Sequence, residues 1–273
     1  LNLLDEPNPN QPRILLVDDD RHARLFLKAR LAFLGAQIDD AVDGLDALEA
    51  LGRHLPDLIL SDAVMPRMDG FEFCRKVRQD PALRQLPFCL LSSLKQNMRE
   101  RSQEAGADDY LSKQENDLVF RIRTRLMMNL ALRAFVPSLE QLRLNELSVL
   151  VITRSRAIQT QLATHLAKEG IALAWAETPQ AGLDHLKSRG ADLLILDLDQ
   201  DEDALDVLID NLRVHRTLSE LPILALSSRE EEPRLEAREN EIQDRLSKPL
   251  DGQESRHRVK LLLRLAGAGP RRG

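Results

Sequence analysis

The chain repeats itself at a fixed interval of 135 residues. Apolar runs ILLV (14–17), DLILS (57–61) and PFCLL (87–91) return as VLVI (149–152), DLLIL (192–196) and PILAL (222–226). The polar landmarks keep the same step: Asp18 falls on Thr153, Asp62 on Asp197, Ser92 on Ser227 and Lys113 on Lys248. An offset that stays constant across the unit means a duplicated domain with almost no net insertion between these landmarks. Each repeat is about 120 residues, enough for one core, and two of them fit a chain of 273.

Within each repeat the strand-like runs are short and continuously apolar, as in a parallel sheet covered on both faces. Amphipathic helical patterns separate them. In RHARLFLKARLAFLG, Leu25, Leu27, Leu31 and Leu34 recur at roughly helical spacing, and Gly35 is the expected C-cap. LDALEALGRHLP ends before Pro56. Strands alternating with helices predict a doubly wound α/β domain, with its site at the carboxyl ends of the strands. The expected layout is a flexible segment 1–12, a domain over 13–132, a helical linker over 133–147, a second domain over 148–266 and a tail over 267–273.

ILLVDDDR runs four apolar residues into Asp18, Asp19 and Asp20. Adjacent like charges repel by roughly 4 kcal/mol at 4 Å and an effective dielectric near 20. A hard divalent cation between carboxylates removes that penalty, and Mg²⁺ takes one or two carboxylates plus water and phosphate oxygens. The fold is expected to bring Asp18, Asp19, Asp62, Ser92 and Lys113 to one sheet edge. Carboxylates, a metal, an ammonium and a hydroxyl are the parts of a phosphoryl-acceptor site, with Asp62 as nucleophile.

Four motifs in order, VDDD (17–20), SDAVMPRMDG (61–70), LLSS (90–93) and GADDYLSK (106–113), resemble the receiver domain of bacterial two-component response regulators. The resemblance implies two flavodoxin-like (βα)5 domains and phosphorylation of Asp62 by a histidine kinase or phosphotransfer protein. It implies Mg²⁺ held by Asp19, Asp62 and the backbone carbonyl of Val64, with Asp18 acting mainly through water. Ser92 and Lys113 would contact the phosphoryl oxygens, and Tyr110 would be the aromatic switch that turns inward with Ser92. Asp20 is left as an N-cap for the following helix. Arg121, Arg123 and Arg125 match a face on which charged pairs build receiver homodimers, or form a solvated charged face.

The first repeat departs from the family in two places. Gln114 replaces the usual proline after the lysine, where the peptide bond is normally cis. A cis bond before a non-proline costs about 3 kcal/mol, so either the local network holds it or a trans loop shifts Lys113 slightly. Val64 and Leu94 occupy positions that govern water access to the acyl phosphate, and their apolar side chains predict slow self-dephosphorylation. The second repeat keeps Asp197, Ser227, Lys248 and Pro249 but reads VITRSR where the first reads LVDDDR. Without the acidic pair it is expected to be a degenerate receiver, with Arg154 reaching toward Asp197 to neutralise it. Arg245 stands at the position of Tyr110. The DxD within LDLDQD (196–201) also occurs in haloacid-dehalogenase-type phosphatases, a weak signal that the duplication already explains.

Composition bounds the function. A net charge of −6 does not suggest a nucleic-acid-binding surface, and no apolar run approaches the roughly 20 residues of a membrane span. With no visible signal peptide, and with Cys74 and Cys89 read as small core residues, a cytoplasmic protein is expected. NDLVFRIRTRLMMNLALRAF (116–135) reads as one long helix of about 30 Å, with Leu118, Ile122, Leu126, Leu130 and Phe135 as its stripe. REEEPRLEARENEIQDR (229–245) reads as a solvated helix. Tandem receivers with a degenerate second repeat resemble the front half of regulators that end in a diguanylate cyclase. This sequence contains no GG[DE]EF, helix-turn-helix or HD signature; were it a fragment, an output domain is expected after Gly273. The alternatives are a stand-alone adaptor or phosphate sink, or a non-phosphorylated scaffold. Any enzymatic output is expected to lie outside this chain.

Overall fold

The computed structural model describes residues 11–93, 97–133, 136–137, 141–199 and 202–268. The chain divides after Arg133 into two compact units. The first runs β1 (Arg13–Val17), α1 (Arg21–Leu31), β2 (Gln37–Ala41), α2 (Gly44–Arg53), β3 (Leu58–Asp62), α3 (Gly70–Gln79), β4 (Phe88–Ser92), α4 (Met98–Ala105), β5 (Asp109–Ser112) and α5 (Asp117–Ala131). The second runs β6 (Ser148–Ile152), α6 (Arg156–Leu166), β7 (Ala172–Ala176), α7 (Pro179–Arg189), β8 (Leu193–Asp197), α8 (Glu202–Val214), β9 (Ile223–Ser227), α9 (Glu232–Ala237), β10 (Asp244–Ser247) and α10 (Gly252–Ala266). Both sheets are wholly parallel, ordered β2-β1-β3-β4-β5 and β7-β6-β8-β9-β10. This is the doubly wound architecture expected, twice.

Every predicted apolar run is a strand. The central ones, β3 and β4, are buried at every position. β2, at the sheet edge, is QIDDA and mostly half-buried, which is why no apolar run announced it. The 135-residue step extends to the hydrogen bonds that frame each sheet. Asp57 accepts from the Arg13 amide (2.8 Å) and Asp192 from the Ser148 amide (2.7 Å). Arg78 donates to the carbonyls of Leu86 and Gly106, and Arg213 to those of Leu221 and Glu241. Buried backbone ends need partners, and both units satisfy them with the same framework.

Side chains cap most of the helices: Asp20 for α1, Asp43 for α2, Asp69 for α3, Asn116 for α5, and Ser155, Thr178 and Asp251 for α6, α7 and α10. Asp20 thus has the role expected of it. Gly35, at φ +61°, closes the turn after α1 in the left-handed region. In α1 itself Leu27 and Leu31 are buried, but Leu25 is exposed, so the inward stripe is narrower than the spacing suggested.

Two predicted helices differ from expectation. α5 stops at Ala131 and spans about 22 Å at 1.5 Å per residue. Its stripe Leu118, Ile122, Leu126 and Leu130 is buried as predicted, while Phe135 lies outside the described residues. The only helical turn described in 133–147 is the 3₁₀ turn Leu144–Glu146. The charge run 229–245 is not one solvated helix either. It makes six-residue α9, then turns, and enters β10 at Asp244, which is fully buried.

Asp244 is tolerated there because Arg258 of α10, itself fully buried, pairs with it at 3.3 Å and with Glu254 at 2.7 Å. Removing one member of a buried pair leaves an uncompensated charge, which costs about 3–5 kcal/mol. Arg258→Ala should destabilise the second unit by that amount in urea unfolding followed by fluorescence of Trp175 on β7, the single tryptophan. A loss under 1 kcal/mol would show the pair to be dispensable.

Candidate functional site

The strand order of the first sheet reverses between β1 and β3, and that opens a crevice at their carboxyl ends. Asp18 follows β1 and Asp62 ends β3. Asp18 is fully buried, Asp62 is 8% exposed, and Asp19 is exposed. These three offer carboxylate oxygens within 4.8 Å of one another, the one such cluster among the described residues. The turn after β1 is braced twice: Asp18 Oδ1 accepts from the Asp20 amide (3.0 Å), and Arg24 Nη1 donates to the Asp18 carbonyl (2.6 Å).

Lys113, just past β5, reaches across the crevice. Its Nζ lies 2.6 Å from Asp18 Oδ2 and 2.7 Å from Asp62 Oδ2. Burial alone would lower the ammonium's pKa, but the bonds to Asp18 and Asp62 outweigh it and raise it. Burial pushes the Asp62 carboxyl upward in spite of Lys113, and the charge of Asp18 adds to the rise. Three carboxylates against one ammonium leave a formal charge of two negatives, which matches one divalent cation. A hard, oxygen-only donor set fits Mg²⁺.

Lys113–Gln114 is trans, and the cis bond among the described residues is Lys248–Pro249. Of the two outcomes expected for Gln114, the structure therefore takes the trans loop, and Lys113 still reaches both carboxylates. Gly70, which opens α3, explains the close of the SDAVMPRMDG motif: a Cβ there would sit 2.0 Å from the Asp62 carbonyl oxygen. Ser92 is buried at the end of β4, and its carbonyl accepts from the Lys113 amide (2.9 Å). Tyr110 is half-buried, its hydroxyl accepting from Arg99 Nε at 3.0 Å. With Ser92 and Met98 it lines a cavity of about 200 Å³. Val64 is 57% exposed at the mouth of the crevice; Leu94 lies outside the described residues.

The second unit is wired differently. Thr153 Oγ1 donates to Asp197 Oδ2 at 2.6 Å, and Lys248 Nζ bonds Asp197 Oδ1. Lys248 also pairs with Asp199 at 2.6 Å. The lysine again holds two carboxylates, but the second now comes from two residues beyond the aspartate. Arg154 does not neutralise Asp197 as expected. It is exposed, and its Nε donates to the Glu177 carbonyl (3.2 Å), because the chain turns its side chain outward after the buried Thr153. Ser227 is fully buried with its hydroxyl unpaired. Arg245, at the place of Tyr110, is fixed to Glu232 (3.1 Å) and Ser247 (2.7 Å).

A model of the response regulator receiver domain matches residues 14–123 and again 149–260. The chain belongs to the response regulator receiver family. Response regulator PleD of Caulobacter vibrioides is 30% identical over 276 residues, covering 91% of this chain and 58% of that protein. The chain thus spans little more than half the length of that relative. Response regulator MprA of Mycobacterium leprae is 42% identical over 118 residues, covering 42% of this chain and 50% of that protein. The PleD match runs through both receivers, so the tandem arrangement is shared. A histidine kinase is the partner that receiver domains imply, and among the described residues no helix is long and apolar enough to cross a membrane.

Sequence reasoning missed Arg24 and Arg30, which brace the two loops that carry Asp18 and Lys113. Both lie on α1 among other cations, and only the fold separates them. For the second receiver, Thr153→Val removes a hydroxyl donor from a buried carboxylate. The expected loss is about 1.5–3 kcal/mol in the Trp175 unfolding transition.

Proposed function

We propose that Asp62 accepts a phosphoryl group from a histidine kinase or phosphotransfer protein, and that the second receiver is a pseudo-receiver for docking or dimerisation. The observation that carries this reading is the Lys113 ammonium bridging Asp18 and Asp62 beside Asp19, a set left two negatives in excess. Asp19, Asp62 and the Val64 carbonyl would hold Mg²⁺, with Asp18 acting mainly through water. The metal would neutralise the charge that gathers on the phosphoryl oxygens. An Asp62 carboxylate oxygen bonds to phosphorus as the phosphorus–nitrogen bond of the phosphohistidine breaks, and the imidazole takes up a proton. Asp62 then becomes an acyl phosphate, and Lys113 is free to pair with the new phosphoryl oxygens. Ser92 supplies a hydroxyl donor to them. Its shift opens the way for Tyr110 to leave Arg99 and enter the neighbouring cavity.

The second receiver is read as non-phosphorylated because Thr153 replaces a metal-facing carboxylate, Lys248 is already shared by two acids, and Arg245 occupies the switch position. The tandem pair would serve as the input half of a longer regulator, of the kind that ends in a diguanylate cyclase.

A small acyl-phosphate donor should add one phosphoryl group per chain, measured by intact mass. Addition should require Mg²⁺, vanish in Asp62→Asn and persist in Asp197→Asn. No addition would leave a scaffold, and addition at Asp197 would overturn the reading of the second receiver. Because Val64 offers water no hydrogen bond at the mouth of the site, the phosphorylated chain should lose its label over minutes or longer. A lifetime of seconds would show that another group orients the water.

A further inference from the structure

The turn after β5 must aim Lys113, yet it lacks the ring that fixes its counterpart. In the second receiver Pro249 follows Lys248, and the pyrrolidine locks one backbone angle. In the first, no ring locks that angle at Gln114, whose amide donates instead to Ser112 Oγ (3.2 Å). A different device holds the turn. Arg30 of α1 donates from Nη1 to the Lys113 carbonyl (3.1 Å) and from Nη2 to the Glu115 carbonyl (2.8 Å). Its Nη2 also pairs with Asp117 at 2.8 Å, and its guanidinium carbon stacks 3.9 Å over the Phe120 ring. The side chain is 8% exposed.

The duplication supplies an internal comparison. At the 135-residue step Arg30 becomes His165, Asp117 becomes Gly252 and Phe120 becomes Ser255. His165 bonds Ser255 at 3.3 Å, so its ring faces the helix α10. Every part of the clamp is absent from the receiver that has the proline, and present in the one that lacks it.

We propose that Arg30 is a positioning residue for Lys113: its planar fork fixes the carbonyls on either side of Gln114 and so directs the ammonium to Asp18 and Asp62. The fork is required because two carbonyls must be held at once, which a lysine ammonium on a flexible stem does not do in fixed geometry. This rests on the reading of Asp62 as phosphoryl acceptor.

The test uses the full chain, acetyl phosphate and Mg²⁺, with the initial rate of phosphoryl uptake read by intact mass. Arg30→Ala and Arg30→Lys should each slow uptake about tenfold, as a small misplacement of a reacting group does. Gln114→Pro placed in either variant should restore most of the rate. A role confined to α1–α5 packing predicts the opposite pattern: Arg30→Lys keeps the cation beside Asp117 and Phe120 and reacts like wild type, and Gln114→Pro rescues nothing. That pattern would overturn the proposal, as would wild-type uptake in Arg30→Ala. If Arg30→Ala does not fold or Gln114→Pro is itself slow, Arg30→Lys alone decides: slowed uptake supports the fork, wild-type uptake overturns it. Absence of uptake in the wild type would instead strike the reading of Asp62.

Discussion

The Lys113 ammonium holds the first receiver's site together. Asp18 is fully buried and Asp62 nearly so, and two carboxylates brought together out of water call for a cation between them. Lys113 supplies that cation from the far end of the sheet. It ties β5 to β1 and β3 at the point where the strand order reverses. One positive charge does not balance three acids. The remaining charge, carried on oxygen donors, fits a divalent cation such as Mg²⁺. Lys113 is thus ion-paired with Asp18 and Asp62 at once.

The two receivers share a frame and differ in the wiring of their sites. The frame is common to both: parallel strands in the same order, Asp57 and Asp192 on the first-strand amide, Arg78 and Arg213 on the carbonyls at the opposite edge. The lysine sharing two carboxylates is also common. What has changed is the source of the second acid. Asp199 takes the place that Asp18 fills in the first unit, while a neutral hydroxyl from Thr153 caps Asp197. A lysine–diacid cluster is thus common to both units, although its acids come from different positions.

Much of this was legible in the sequence because it is periodic. The repeat, the central strands and the acids at their ends follow from apolar runs that close on a polar residue. The edge strands were less visible, since β2 buries too little to need an apolar run. Errors arose where one pattern serves two environments. The run 116–135 is helical in pattern throughout, but α5 ends at Ala131. Charge in 229–245 reads as solvent-facing, yet Asp244 and Arg245 are buried because partners from α9 and α10 meet them. Arg154 was placed by charge complementarity alone. Its side chain leaves the crevice for the Glu177 carbonyl, and a hydroxyl one residue earlier, closer and cheaper to desolvate, meets Asp197.

The braces around the site were illegible for a related reason. An arginine on an amphipathic helix looks like solvated charge in any window of sequence, and α1 has several. Arg24 and Arg30 are distinguished only by what lies opposite them once α1 packs against α5: the carbonyl of Asp18 in one case, and those of Lys113 and Glu115 in the other. Backbone carbonyls carry no signature in sequence, since every residue has one. A guanidinium can hold two of them in a plane, so it can stiffen a loop without restricting that loop's own residues. The position after the lysine is then open to residues other than proline, and a missing family residue at one place directs attention to whichever side chain has taken over its constraint from another element.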